Sequence, residues 1–247
     1  MKKVFTFLSA LLVSAAGFAQ WTKPVPTALD AYEYSTMAED GAGDTIVYYL
    51  YNKDAGAFYT QGNAWGTQTT IGHTGLKVAI SKYINEEESS EWDGKTVLVN
   101  DYVDSKSIWA RLFIDDETHA YVDHVNQPNY FWEIEAQGGG LFRIKPADIN
   151  PNYTSALYGN GGSVYFGVTY ENDPNTTIIS PLIDIAEDNT AKVDWQFISE
   201  ETYEIYLTAY EIYAASEDLK ATIENAKEIG VDYADAQKVY DNTSSSI

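Results

Sequence analysis

The sequence contains no cysteine. Disulfides, thiol nucleophiles, zinc–thiolate centres and iron–sulfur clusters are therefore excluded, and stability has to come from packing. Positive charge is scarce: 15 Lys and Arg stand against 37 Asp and Glu, a formal charge of −22. Such a chain repels phosphate backbones and acidic bilayers, so no nucleic acid partner is expected, and the charge reads first as a source of solubility. Only three histidines occur. His119 and His124 are five apart, an offset that puts them on opposite faces of a regular strand, and no EF-hand spacing occurs near Asp115, Asp116 and Glu117. No metal site and no cofactor are expected. Gly-x-Ser-x-Gly and Gly-x-x-x-x-Gly-Lys are both missing, which leaves a serine hydrolase elbow and a nucleotide loop without support. Glycoside hydrolysis needs two opposed carboxylates at a set separation, and the many acids single out no pair. The expectation is a chain that is not an enzyme and has no catalytic residues.

One long hydrophobic run is present, at the start. Lys2 and Lys3 precede an apolar stretch over 4–18, and Gly17 and Ala19 are small residues at the −3 and −1 positions of a cut before Gln20. This layout predicts a secretory signal peptide over 1–19, too short for a comfortable membrane span. A retained anchor is the alternative. The mature chain is expected to be secreted or held at the cell surface (periplasm or extracellular space), without membrane insertion.

Aromatics are abundant: 20 Tyr, 6 Trp and 9 Phe. They favour strands and large cores, and they also suit an exposed platform on which sugars stack. Residues 20–44 read as a lead-in, kept extended by Pro24 and Pro26 and ending in a Gly- and Asp-rich loop. Strand signals then come in pairs: 46–51 with 57–60, 76–84 with 96–103, 108–114 with 120–125, 130–135 with 141–145, 155–158 with 164–169, and 192–198 with 202–207. Turn chemistry separates the partners, as in Asn52-Lys53-Asp54-Ala55-Gly56. Trp132-Glu133-Ile134 is echoed by Trp195-Gln196-Phe197, and Phe142-Arg143-Ile144 by Tyr203-Glu204-Ile205; Val78-Ala79-Ile80 stands at the matching place of the second hairpin. The echo predicts three units over 45–103, 108–145 and 155–207. The fold class expected is mainly β: a β-trefoil of six hairpins over 45–207, whose barrel closure removes exposed edges, followed by a C-terminal helical segment over 208–247. A two-sheet sandwich is the competing architecture. In the helical segment Ser216 is a candidate N-cap, Gly230 a stop and Asp232 a second cap. This tail reads as a spacer, with further domains downstream of Ile247 as one possibility.

Tyr48-Tyr49-Leu50-Tyr51-Asn52, Asp54-Ala55-Gly56 and Gly62-Asn63-Ala64-Trp65-Gly66-Thr67-Gln68 resemble the opening of a ricin-B-like β-trefoil module of secreted Bacteroidetes proteins. The resemblance covers most of 45–207 in pattern and is specific over 47–68. It implies a lectin-like, carbohydrate-binding module with a glycan partner. The Gln-x-Trp signature of ricin-type lectins is absent, and Trp132 and Trp195 sit in a Trp-x-apolar pattern instead. The candidate ligand-binding residues are Tyr51, Asn52, Asp54, Asn63, Trp65 and Gln68, an aromatic face with polar groups that can fix hydroxyls. The structural reading of the same residues has Trp65 in the barrel core and Asn63 turning the chain. A second, weaker cluster is Asp123, Asn126, Gln127, Asn129 and Tyr130. Two functions follow: a carbohydrate-binding module, or a structural or protein-interaction trefoil without a sugar site. Exposure of Trp65 or Tyr51 separates them.

Overall fold

The computed structural model describes residues 21–35, 45–61, 69–83, 94–104, 107–114, 120–123, 131–147, 164–170, 177–184 and 192–242. Among the described residues twelve strands run in chain order: β1 (Val47–Asn52), β2 (Ala57–Gln61), β3 (Thr69–Gly72), β4 (Lys77–Lys82), β5 (Thr96–Asp104), β6 (Ser107–Ile114), β7 (Ala120–Asp123), β8 (Phe131–Gly138), β9 (Leu141–Pro146), β10 (Val164–Tyr170), β11 (Thr177–Asp184) and β12 (Trp195–Ser199). Two helices follow, α1 (Glu200–Ile229) and α2 (Ala234–Asn242). Val25–Thr208 forms one compact unit, and Ala209–Ile247 belongs to another.

Six strands close on themselves. β1 pairs β4, β4 pairs β5, β5 pairs β8, β8 pairs β9, β9 pairs β12, and β12 returns to β1, every pairing antiparallel. The ring is a closed six-stranded barrel. The other strands form hairpins between its members: β2 with β3, β6 with β7, and β10 with β11. These hairpins gather together, with β11 beside β3 and β7, and β3 beside β7. Closure pairs every barrel strand on both sides, so the barrel itself offers no free edge.

The core is rich in aromatic rings. Leu50, Ile80, Leu98 and Ile144 from the barrel meet Trp132, Trp195, Phe142, Phe166 and Phe197, all buried. Trp132 and Trp195 play matching roles. The Trp132 indole N–H donates to the Leu112 carbonyl of β6 (3.0 Å), and the Trp195 indole N–H to the Phe166 carbonyl of β10 (2.7 Å). Each large ring thus fills the barrel while its polar edge ties a barrel strand to a hairpin. Val78 brings no such donor from β4, and Tyr59 of β2 lies fully buried in the same cluster.

The second, third and fourth expected hairpins are found at β4–β5, β6–β7 and β8–β9, and the first at β1–β2. Of the fifth, the first arm, 155–158, lies outside the described residues; the second is β10, which pairs with β11. The sixth is overturned: 202–207 is helix, not a return strand. The barrel edge of β12 is taken by β1, with Leu50 opposite Phe197. The chain turns into α1 without a loop, because Ser199 Oγ accepts from the Thr202 N–H (3.3 Å) and Glu200 and Glu201 lie in the first turn. Ser216 is not a cap. It lies inside α1 and donates back to the Tyr213 carbonyl (2.6 Å). Gly230 ends the helix at φ +72°, and Asp232 Oδ1 caps α2 by accepting from the Ala234 N–H (3.0 Å). Among the described residues no helix is long and apolar enough to cross a membrane.

Residues 25–35, within the segment expected as a lead-in, supply part of the barrel unit. The Leu29 N–H donates to the Phe197 carbonyl (2.9 Å) and the Ser35 N–H to the Ile80 carbonyl (2.7 Å). Tyr32 packs on Phe142 and Phe197. The segment passes close over the β8–β9 turn, where Gly140 has φ +72° and a Cβ would come within 3.1 Å of the Leu29 carbonyl oxygen; glycine is required there on both counts.

Candidate functional site

The residues singled out in the first hairpin separate into scaffold and surface. Tyr51 sits on β1 and is 2% exposed; its ring packs against Phe58 and Tyr206, and burial pushes its phenol above the ordinary value. Asn52 is fully buried. Its Nδ2 donates to the Lys192 carbonyl (2.8 Å) and its Oδ1 accepts from the Ala55 N–H (2.9 Å), while the Gly56 N–H donates to its backbone carbonyl (2.9 Å). Asn52 therefore builds the Lys53–Gly56 turn and joins it to the strand leading into β12. Both Asn52 side-chain groups are used, and neither Tyr51 nor Asn52 is accessible to a ligand. Asp54 is exposed at the tip of that turn.

Asn63, Trp65 and Gln68 lie outside the described residues, in the connection 62–68. That connection leaves Gln61 and returns at Thr69, which face each other across the β2–β3 ladder. The Asp54 turn is at the opposite end of β2, and five strand residues span roughly 17 Å. β2 thus separates the Asp54 turn from the Gln61–Thr69 end of its hairpin.

The other candidates resolve less. Asp123 ends β7 opposite Arg111, whereas Asn126, Gln127, Asn129 and Tyr130 lie outside the described residues. So do His119, His124 and the acids at 115–117. Among the described residues no group of His, Asp and Glu is arranged to hold a metal.

Two polar constellations were not legible in the sequence. One is a charge ladder across β8 and β9, where Glu135 stands opposite Arg143 and Glu133 opposite Lys145. Lys145 Nζ reaches Glu133 (2.9 Å) and Glu135 (2.7 Å), Arg143 Nε donates to Asp194 Oδ1 (2.7 Å), and the Tyr165 hydroxyl donates to Glu135 Oε2 (3.1 Å). The bond from Lys145, helped by Tyr165, holds the Glu135 carboxyl below its usual range, and the bond to Asp194 raises Arg143. Every charge here has a partner, so the ladder fastens the barrel wall to β10.

The second constellation joins the N-terminal segment to β4 and β5. Tyr34 is 39% exposed, with the Lys82 ammonium 4.2 Å from its ring centroid. The Tyr34 hydroxyl lies 3.2 Å from Thr96 Oγ1, and Lys82 Nζ donates to the same Thr96 oxygen (3.0 Å). Thr96 is buried and directly opposite Lys82 in the β4–β5 register. Burial acts to raise the Tyr34 phenol, but hydrogen bonds with Thr96, Tyr32 and Lys82 and the Lys82 charge outweigh it and leave the phenol below its ordinary value. Its neighbour Tyr32 goes the other way, raised first by burial and then by Tyr34. No spacing rule could have found this group, since 62 residues separate Tyr34 from Thr96.

No family model matches the sequence, and no curated protein matches it. Solved structures with a related course of chain include lysenin in complex with phosphocholine (TM-score 0.40, 11% identity, 67% of this chain and 46% of that one). SeviL bound to asialo-GM1 saccharide gives 0.36 and 10% over 63% and 98% of the two chains. Winged bean albumin 1 gives 0.41 and 9% over 68% and 100%. The matched part spans about half the length of the lysenin chains. These likenesses are too distant to carry an argument about ligand or activity.

Proposed function

We propose that this chain is a non-catalytic carbohydrate-binding module of an exported protein, built as a β-trefoil. The observation that carries the reading is the strand order: a closed ring of β1, β4, β5, β8, β9 and β12, interrupted at equal intervals by three hairpins that gather together. Units of four strands, β1–β4, β5–β8 and β9–β12, account for that order. The Trp132 and Trp195 anchors then occupy matching places in the second and third units. The carbohydrate part rests on the resemblance of 47–68 to ricin-B-like modules, since fold alone does not fix function. With Tyr51 and Asn52 assigned to the scaffold, the sugar contacts fall to Asn63, Trp65 and Gln68 on the β2–β3 connection. Residues 1–19 act as a signal peptide in this reading, and the helical segment over 208–247 as a spacer.

A structural or protein-interaction trefoil without a sugar site is the second reading, favoured by one observation: the burial of Tyr51 and Asn52. A glycan array probed with residues 20–247 separates the two. Binding to a defined glycan set supports the module as a lectin, and silence across neutral and acidic plant and host glycans leaves the interaction reading.

A further inference from the structure

We infer that the Tyr34–Lys82–Thr96 group is an anchoring site for the carboxylate of an acidic sugar, a second contact point for the glycan ligand proposed above and dependent on that reading. The group is built rather than incidental. Thr96 is buried, so its hydroxyl is fixed, and it ties down both other members: it accepts from Lys82 (3.0 Å) and bonds the Tyr34 hydroxyl (3.2 Å). The backbone on either side is fixed as well. The Ser35 N–H donates to the Ile80 carbonyl (2.7 Å), and Lys82 pairs Thr96 across the barrel wall.

The proton count points outward. An ammonium has three N–H groups and no acceptor. One goes to Thr96 and a second to the Tyr34 hydroxyl, over whose ring face the charge sits, which leaves the third for an incoming acceptor. Among the described residues no carboxylate pairs with Lys82, whereas Lys77, Arg143 and Lys145 each have one. Once Thr96 accepts from Lys82, its own proton can go to the Tyr34 oxygen. Tyr34 is well exposed, so its ring edge and phenol flank an approaching group. A positive charge held in place beside an exposed aromatic fits a sugar ring carrying one carboxylate: the charge takes the oxyanion and the ring takes C–H contacts. The chain's −22 charge does not forbid this, because charges beyond about 8 Å are largely screened at physiological salt.

The test uses polygalacturonate and its fully methyl-esterified form, the same backbone with and without charge, binding to residues 20–247 measured by calorimetry. The site predicts about tenfold tighter binding of the acid form, the effect of one charge-assisted contact. Lys82→Gln removes the preference, Lys82→Arg keeps most of it, and Tyr34→Phe, at an exposed position, lowers it severalfold. Equal affinity for both polymers, or a preference that survives Lys82→Gln in a folded protein, overturns the site. Stronger binding of dextran sulfate that depends on Lys82 replaces carboxylate by sulfate ester and overturns the ligand class. Neutral-glycan binding that ignores Lys82→Gln removes this inference alone; no binding to any glycan removes the carbohydrate reading with it.

Discussion

Tyr203, in the first turn of α1, lies face to face with Tyr49 of β1, ring centroids 3.5 Å apart and planes within 14°. The Tyr203 hydroxyl also accepts from the Gly75 N–H (2.7 Å), and Gly75 in turn lies against Tyr49 and Phe58 so closely that a Cβ would come within 2.9 Å of Tyr49 Cδ1. One contact thus fixes the start of the helix, the outer side of β1 and the approach to β4. Tyr203→Ala is expected to cost about 3–5 kcal/mol, as for a large buried aromatic, and Tyr203→Phe about 1 kcal/mol for the lost hydrogen bond. Urea denaturation followed by circular dichroism measures both. Gly75→Ala should destabilise too, through the clash with Tyr49.

Asn52 and Asp54 are two residues apart and should behave oppositely. Asn52→Ala removes one of the bonds to the Lys192 carbonyl, which keeps the Val168 N–H, and takes the side-chain acceptor from the Ala55 N–H; it is expected to cost about 1–3 kcal/mol. Asp54→Ala, at an exposed turn tip, should stay within about 0.5 kcal/mol of the parent. Equal effects on stability would contradict the scaffold role given to Asn52.

The Tyr59 hydroxyl is buried and has no hydrogen-bond partner among the described residues. Tyr59→Phe removes a desolvated polar group and keeps the ring, so stability should be unchanged or raised. A clear loss in thermal unfolding would mean that the hydroxyl has a partner such as an ordered water.

Alkaline pH should unfold the protein through its tyrosines. Burial raises the phenols of Tyr32, Tyr48, Tyr51, Tyr59 and Tyr203 above the ordinary value of about 10. Their folded-state values exceed the unfolded ones, so their contribution is complete below pH of about 10 and is lost as pH rises through the folded values. Phenolate absorbance should therefore show these five tyrosines ionising together with loss of the near-ultraviolet dichroism. A single smooth titration with the fold intact contradicts this.

The parts of the fold legible in the sequence are those where one residue's chemistry decides. The Trp132 and Trp195 echo was readable because a barrel filled by large rings needs them at equivalent places. The Tyr203-Glu204-Ile205 echo of Phe142-Arg143-Ile144 misled, because the edge it was meant to fill is taken by β1, a strand about 150 residues earlier, and local capping at Ser199 then favours helix. β11 escaped notice because Pro181 argues against a strand interior; the β10–β11 ladder shifts register between Tyr165 and Gly167, and Pro181 falls in the interval on the other strand. β3 is four residues long with two threonines and a glycine, too weak a signal to read. For the site, residue types were readable and burial was not. Tyr51 and Asn52 look like an aromatic beside an amide in either role, and only the packing of Tyr206 and the Lys192 carbonyl shows them spent on the scaffold. Tyr34 lies in a segment whose sequence reads only as a lead-in.

The most direct test of the central claim is glycan binding by residues 20–247 with Trp65→Ala as the paired control, each protein first checked for the same thermal transition. The account predicts binding to a defined set of glycans that falls at least tenfold in a folded Trp65→Ala protein, the scale of losing one stacked aromatic contact. Binding that survives intact would move the site off the β2–β3 connection. No binding to any neutral or acidic glycan by the wild-type protein would contradict the carbohydrate reading and leave a closed-barrel module that works in interaction or as a spacer.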